Sequence, residues 1–176
     1  MNVMMAYALE QVAKFLGDKA LAAEMEGGAM TIFRLAPQDY HRFHAPVSGK
    51  LTSTTPIDGK YFTVNPIAIQ HSRVNVFTEN KRIVNVIESE QLGKVVFVTI
   101  GATAVGSIVQ LHDPGEIITK GECFGYFQFG GSTCIMLTQK GMVTFDDDLL
   151  ETTVSGIEMY VEMGQQVGRR RAGASL

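Results

Sequence analysis

Arg82-Ile83-Val84-Asn85-Val86-Ile87-Glu88-Ser89-Glu90-Gln91-Leu92-Gly93-Lys94-Val95-Val96-Phe97-Val98-Thr99-Ile100 decides the fold. It contains two runs, 82–89 and 94–100, rich in Val, Ile, Phe and Thr, the residues that suit a pleated strand. Residues 90–93 are too few for the crossover helix that a parallel pair needs, so the runs pair antiparallel. Working outward, similar runs fall at 29–35, 50–54, 73–77, 106–111, 133–138 and 142–145. Turn signals punctuate them at Val47-Ser48-Gly49, Pro56-Ile57-Asp58-Gly59, Thr78-Glu79-Asn80 and Asp113-Pro114-Gly115. Ahead of the strands, Met5, Leu9, Val12, Phe15 and Leu16 recur at helical spacing, which predicts a helix from Met4 to Leu16 stopped by Gly17. Ala20 to Met25 reads as a second helical piece, broken at Gly27-Gly28. The expected class is mainly β within α+β, an antiparallel sheet or sandwich core with an N-terminal helix. No repeat, linker or low-complexity tract is visible, so residues 1–176 are expected to form one domain large enough to bury a core.

Composition narrows the function. The chain is 45% hydrophobic and 19% charged, with a net charge of −3. Such a balance offers no basic face for nucleic acid. The basic run Arg169-Arg170-Arg171 reads either as a solvated segment or as a contact for anionic lipid headgroups. Two cysteines, Cys123 and Cys134, give neither a disulfide framework nor a metal spacing, and Cys134 lies in an apolar run that predicts a buried thiol. No stretch is long and apolar enough to span a bilayer, and no signal peptide is visible. The expected location is a membrane surface or the cytoplasm. Without an apolar anchor or an extended basic patch, only reversible attachment is expected.

Three segments could carry chemistry. In Asp39-Tyr40-His41-Arg42-Phe43-His44-Ala45-Pro46 the two histidines could ligate a metal, carry protons, or pair quietly on a turn. Metal finds no further ligands nearby, since His71 and His112 lie in unrelated contexts. Pro46 disfavours a long helix here, and histidines on an irregular segment suit proton transfer near neutrality. Phe129-Gly130-Gly131-Ser132-Thr133 enters an apolar strand. Its glycines permit either a plain tight turn or the close approach of a reacting group. Val98 to Ile108 interleaves small and β-branched residues, as a close-packed crossing does, and has no Lys-Ser/Thr ending that would make it a phosphate loop.

Taken together these segments resemble the phosphatidylserine decarboxylase family. Phe33 to Pro46 resembles its histidine motif, and Tyr61-Phe62-Thr63-Val64-Asn65-Pro66 and Asn75 to Arg82 resemble its central blocks. Gly101 to Ile108 is similar to its Gly-Ala-Thr-x-Val-Gly-Ser-Ile block, and Gly125 to Thr133 to its processing site. The resemblance implies self-cleavage between Gly131 and Ser132, into a β chain 1–131 and an α chain 132–176. Ser132 Oγ attacks the Gly131 carbonyl, the resulting ester eliminates, and Ser132 becomes a covalent pyruvoyl cofactor. Serine needs a base to become a nucleophile, and His44 matches the family's processing histidine. The substrate amine would form a Schiff base whose electron sink accepts the pair left by CO₂, with His41 as proton donor. No metal is implied.

The implied reaction converts phosphatidylserine to phosphatidylethanolamine at a membrane surface, and the resemblance leaves a homodimer open. A soluble relative acting on a free aromatic amino acid would share Ser132 and both histidines. A non-catalytic alternative is a truncated paralogue or β-module like the biotinyl and lipoyl carriers, although Lys50 lacks a carrier lysine's flanks. The family also implies an aspartate in the processing triad, from a motif that would precede Met1, along with a lipid-associating region. Asp58 and Asp146-Asp147-Asp148 match other blocks. The 176-residue chain alone is therefore expected to remain largely uncut.

Overall fold

The computed structural model describes residues 1–4, 9–65, 74–103, 107–128 and 132–174. Its strands are β1 (Asn2–Met4), β2 (Ala29–Leu35), β3 (Arg42–His44), β4 (Gly49–Ile57), β5 (Arg82–Ser89), β6 (Gly93–Ile100), β7 (Ser107–Gln110), β8 (Ile117–Ile118), β9 (Cys123–Gln128), β10 (Ser132–Thr138), β11 (Val143–Phe145) and β12 (Gly168–Arg170). The helices are α1 (Leu9–Leu16), α2 (Lys19–Glu24), α3 (Val76–Glu79) and α4 (Asp147–Val154).

The deciding stretch forms the antiparallel hairpin it predicts, paired from Arg82↔Ile100 to Ser89↔Gly93. Gly93 closes it with φ +65, a backbone conformation that side chains with a Cβ resist. Around the hairpin a seven-stranded antiparallel sheet runs β1-β2-β10-β6-β5-β4-β8. β10 lies inside it, and all seven of its residues are buried because both faces are covered. On one face Ile135 and Leu137 meet α1 and α2 through Val12, Phe15, Leu16 and Met25. On the other, Cys134 and Met136 meet Phe43, Phe124 and Phe127 of a three-stranded sheet ordered β3-β9-β7. Within the smaller sheet Gly125 makes room for its cross-strand partner, because a Cβ there would overlap the Phe43 ring. A third cluster joins Met1, Ala29, Phe145 and Leu149, beneath the β11–β12 hairpin and α4.

The mainly β, antiparallel expectation holds, and the strands expected at 29–35 and 82–89 match residue for residue. Two local expectations do not. The described helix is Leu9–Leu16 and Met4 is not part of it, since Asn2–Met4 pair with β2 as an edge strand; residues 5–8 lie outside the described residues. The strand expected at 73–77 is instead helix α3, because the Asn75 side chain caps it by accepting from the Thr78 N–H at 3.3 Å. β4 outruns its expected 50–54 and includes Pro56. Its partner β8 reaches only Gly49 and Lys50, so Pro56 lies on an edge where a missing N–H costs nothing.

Candidate active site

Register across the sheet brings four segments to one end. Arg34 pairs with Thr133, Thr133 with Ile100, and Ile100 with Arg82. Just beyond this row lie Leu35 and its partner Ser132, the loop 36–41 that carries the first histidine, and Gly101. Ser132 is the first residue of β10, a strand entrance as expected. By the alternation of a strand its side chain shares the face of Cys134 and Met136, toward the three-stranded sheet. It is wholly buried, and its hydroxyl has no hydrogen-bond partner among the described residues. An unpaired buried hydroxyl costs about 1–3 kcal/mol, and Ser132 shares that state with Thr31, Thr99, Thr133 and Thr138 of the same sheet. Phe129, Gly130 and Gly131 lie outside the described residues.

The histidine segment is built on a turn. Asp39 accepts from the Ala36 N–H through its carboxylate at 2.7 Å and returns its own N–H to the Ala36 carbonyl at 2.9 Å. His41 follows; its carbonyl accepts from Phe127 N–H at 2.9 Å, which ties it to β9 shortly before that strand leads toward Ser132. Its Nδ1 lies 2.5 Å from the Asp39 carbonyl oxygen. A carbonyl only accepts, so Nδ1 carries the proton, and in a neutral ring Nε2 is the free base. That Nε2 is buried and without a partner among the described residues.

His44 follows a register shift after Phe43 in β3. Its Nδ1 donates to the Gly121 carbonyl at 2.7 Å, and its Nε2 accepts from the Tyr40 hydroxyl at 3.0 Å, with the two rings stacked at 5.8 Å. No carboxylate is hydrogen-bonded to His44 among the described residues. Neither histidine bonds Ser132. What unites them is topology, because 36–41 and 129–131 both link the large sheet to the small one beside the Leu35↔Ser132 pair.

The remaining polar groups serve structure. His112 donates to Glu116 at 2.8 Å, lies 3.3 Å from the Cys123 carbonyl and stacks on Phe124, which pins the 113–116 turn. The hydrogen bond from His112 holds the Glu116 carboxyl below the usual range. Burial drives the Cys134 thiol far above its ordinary pKa, as an inert structural cysteine requires. The Asp146–Asp148 run starts α4, where carboxylates suit the helix N-terminus. Among the described residues no group of three His, Cys, Asp or Glu could hold a metal, and no helix is long and apolar enough to cross a membrane. His71 lies outside the described residues.

Two functional supports escape sequence reasoning. Asn80 is fully buried and fully used: its amide pairs with Phe62 N–H and carbonyl, and donates to the Gly101 carbonyl, each at 2.8 Å. It thereby clamps three of the quoted blocks together below the site. Arg82 donates to the carbonyls of Phe15, Thr78, Asn80 and Lys14, holding the C-terminal turn of α1. Both lie in quoted segments, but nothing in local patterning distinguishes a clamp from a turn residue.

Comparison with known proteins gives the family. A family model described as phosphatidylserine decarboxylase matches residues 5–169. Phosphatidylserine decarboxylase proenzyme 2 of Oryza sativa subsp. japonica is 50% identical over 153 residues, 87% of this chain and 24% of that protein. The phosphatidylserine decarboxylase proenzyme of Fusobacterium nucleatum is 42% identical over 90% of this chain and 52% of its own length. That of Chlamydia muridarum is 46% identical over 88% of this chain and 51% of its own. The chain thus spans about half the length of these bacterial relatives.

Proposed function

The chain belongs to the phosphatidylserine decarboxylase family, and on that premise we propose that its protein removes the carboxyl group of phosphatidylserine as CO₂ and yields phosphatidylethanolamine. The observation that carries the reading is Ser132, a buried and unpaired hydroxyl at the head of a central strand, directly after Gly130-Gly131. Those features fit a pyruvoyl group derived from Ser132. Among the described residues the hydroxyl has no hydrogen-bond partner, and glycine before it leaves the attacked carbonyl uncrowded. The group would supply a carbonyl for the substrate amine and a sink for the electron pair that CO₂ leaves behind.

The chain's own residues would act in two stages. In the first, a base takes the Ser132 Oγ proton, and the oxygen attacks the Gly131 carbonyl carbon. The peptide C–N bond breaks in favour of an ester, and loss of the Ser132 α-proton expels 1–131 as a carboxylate. Water then replaces the nitrogen left on residue 132, which departs as ammonia. We assign the base to His44, whose Nε2 is unprotonated and becomes available when Tyr40 swings aside. In the second stage His41, protonated at its buried Nε2, delivers a proton to the carbon that lost CO₂.

One observation favours the reverse division of labour: the Nε2 of His41 has no partner among the described residues, whereas that of His44 is occupied. Intact masses of the two alanine variants, made in a form of the protein that cuts itself, decide between them. His44→Ala is expected to stay whole, a loss of about 10²–10⁴-fold in cutting rate, typical of a missing general base. His41→Ala is expected to cut and then decarboxylate slowly. An uncut His41→Ala beside a cut His44→Ala exchanges the roles, and cutting at the parental rate in both removes the histidines from the site. Assay on phosphatidylserine vesicles against free aromatic amino acids tests the substrate class.

A further inference from the structure

Between α4 and β12 the chain has no regular structure, yet it is firmly tied down. Glu158 grips Arg34 with two prongs, Nε and Nη2 donating to its carboxylate at 2.9 and 2.6 Å. Met159 donates its N–H to the Met1 carbonyl, and Met159 and Val161 pack into the cluster of Phe145 and Leu149. Glu162 and Gln165 close a turn by exchanging hydrogen bonds. A segment so well anchored ordinarily turns its apolar side chains inward. Here Val154, Ile157, Tyr160 and Met163 are 89%, 60%, 81% and 64% exposed, the densest run of exposed large apolar side chains among the described residues. Single exposed apolar residues need no explanation, but four within residues 154–163 of one tied-down segment point to an interaction surface.

The position and charge of the ridge indicate what it meets. Arg34, which holds Glu158, pairs with Thr133, so the ridge is tied to the same end of the sheet as Ser132, on the face opposite the Ser132 side chain. Shortly after Met163 the chain enters β12, and Arg169, Arg170 and, just past the strand, Arg171 are all exposed, with Arg169 reaching Asp146 only loosely, at 3.7 Å. With Glu158 held by Arg34, Glu162 is the exposed carboxylate of the ridge itself, while Asp147, Asp148 and Glu151 of α4 are exposed before it. We propose that residues 154–163 are an interfacial ridge that seats the protein on an anionic phospholipid surface. Ile157, Tyr160 and Met163 enter the boundary between headgroups and acyl chains, where a tyrosine's apolar ring and polar tip are both satisfied. The arginines of β12 face the phosphates. For its purpose the inference rests on the proposed activity: a headgroup would reach the Ser132 end of the sheet without its lipid leaving the membrane. So small an apolar area gives reversible docking rather than anchorage.

The test uses the full chain and the triple variant I157S/Y160S/M163S, whose sites touch no part of the catalytic machinery. On vesicles of phosphatidylcholine mixed with phosphatidylserine, flotation should show binding reduced about tenfold or more, with cutting and thermal midpoint unchanged. Activity on vesicles should fall with binding, whereas activity on dispersed short-chain phosphatidylserine should persist. The chain has no tryptophan, so Tyr160→Trp gives a single reporter whose emission should shift to the blue when vesicles are added. Parental vesicle binding by the triple variant, or an unshifted Tyr160→Trp emission, overturns the proposal. A changed oligomeric state with unaltered vesicle binding also overturns it, since protein then covers the ridge. If no substrate is decarboxylated while vesicle binding still depends on the ridge, the activity fails and the docking surface stands.

Discussion

At the scale of single residues, the site is a set of polar atoms that stability alone would not keep. The hydroxyls of Ser132 and Thr99 and the Nε2 of His41 are all buried without partners among the described residues. Thr99 pairs with Cys134 and therefore shares the face of Ser132. Removing such a hydroxyl should not weaken the fold, because alanine leaves nothing unsatisfied. Ser132→Ala is thus expected to abolish cutting and to be as stable as, or about 1 kcal/mol more stable than, an uncut precursor that retains the serine, such as His44→Ala. Intact mass and denaturant melts measure the two effects. Clear destabilisation would show that the hydroxyl is satisfied, and continued cutting would remove it as nucleophile. The two histidines and Ser132 were legible as residue types in a suggestive order. Tyr40 as the partner of His44 was not, because a hydrogen bond four residues away leaves no mark on periodicity.

At the scale of elements, the central strands and the two N-terminal helices proved legible, whereas β3, β9 and the helices α3 and α4 did not. β5 and β6 are specified by β-branched runs buried on both faces, a signal that tertiary context reinforces. Val74, Asn75, Val76 and Phe77 carry the same signal, yet the chain there turns helical because Asn75 caps it and Arg82 collects the Thr78 and Asn80 carbonyls. Such side-chain capture of backbone groups overrides local propensity. The Arg34–Glu158 pair is a long-range tie, and it gives the strap 155–163 a pH dependence. The hydrogen-bonding guanidinium holds the Glu158 carboxyl below its ordinary pKa. A depressed carboxylate stabilises the fold above its unfolded pKa and loses that contribution as pH falls through the folded value. Glu158→Gln should therefore be less stable than the parent near neutrality, and the gap should narrow as pH falls below the ordinary glutamate range. Urea melts of both at each pH measure it. A gap that stays constant or widens in acid would mean that the pair contributes nothing through charge.

At the scale of the whole molecule, the placement of the scissile bond has a consequence for assembly. The piece beginning at Ser132 supplies just one strand to the large sheet, but that strand is β10, hydrogen-bonded along β2 on one side and β6 on the other. Without it, β2 and β6 have no common neighbour and the core loses Cys134, Ile135, Met136 and Leu137, all buried. Burying four such side chains is worth roughly 6–12 kcal/mol on transfer grounds alone. The same piece also carries Phe145 and Leu149 into the cluster with Met1 and Ala29. Cutting before Ser132 should therefore leave the layers intact, and we expect residues 1–131 and 132–176 to behave as one folding unit. The cut protein should elute as a single native species containing both masses, separate only in denaturant, and unfold in one transition by fluorescence and circular dichroism alike. Neither piece should fold when expressed alone, since each would expose one side of the β10 interface to water. Two native species after cutting, or a folded 1–131, would mean that β10 is replaceable, and the single-unit reading would fail with it.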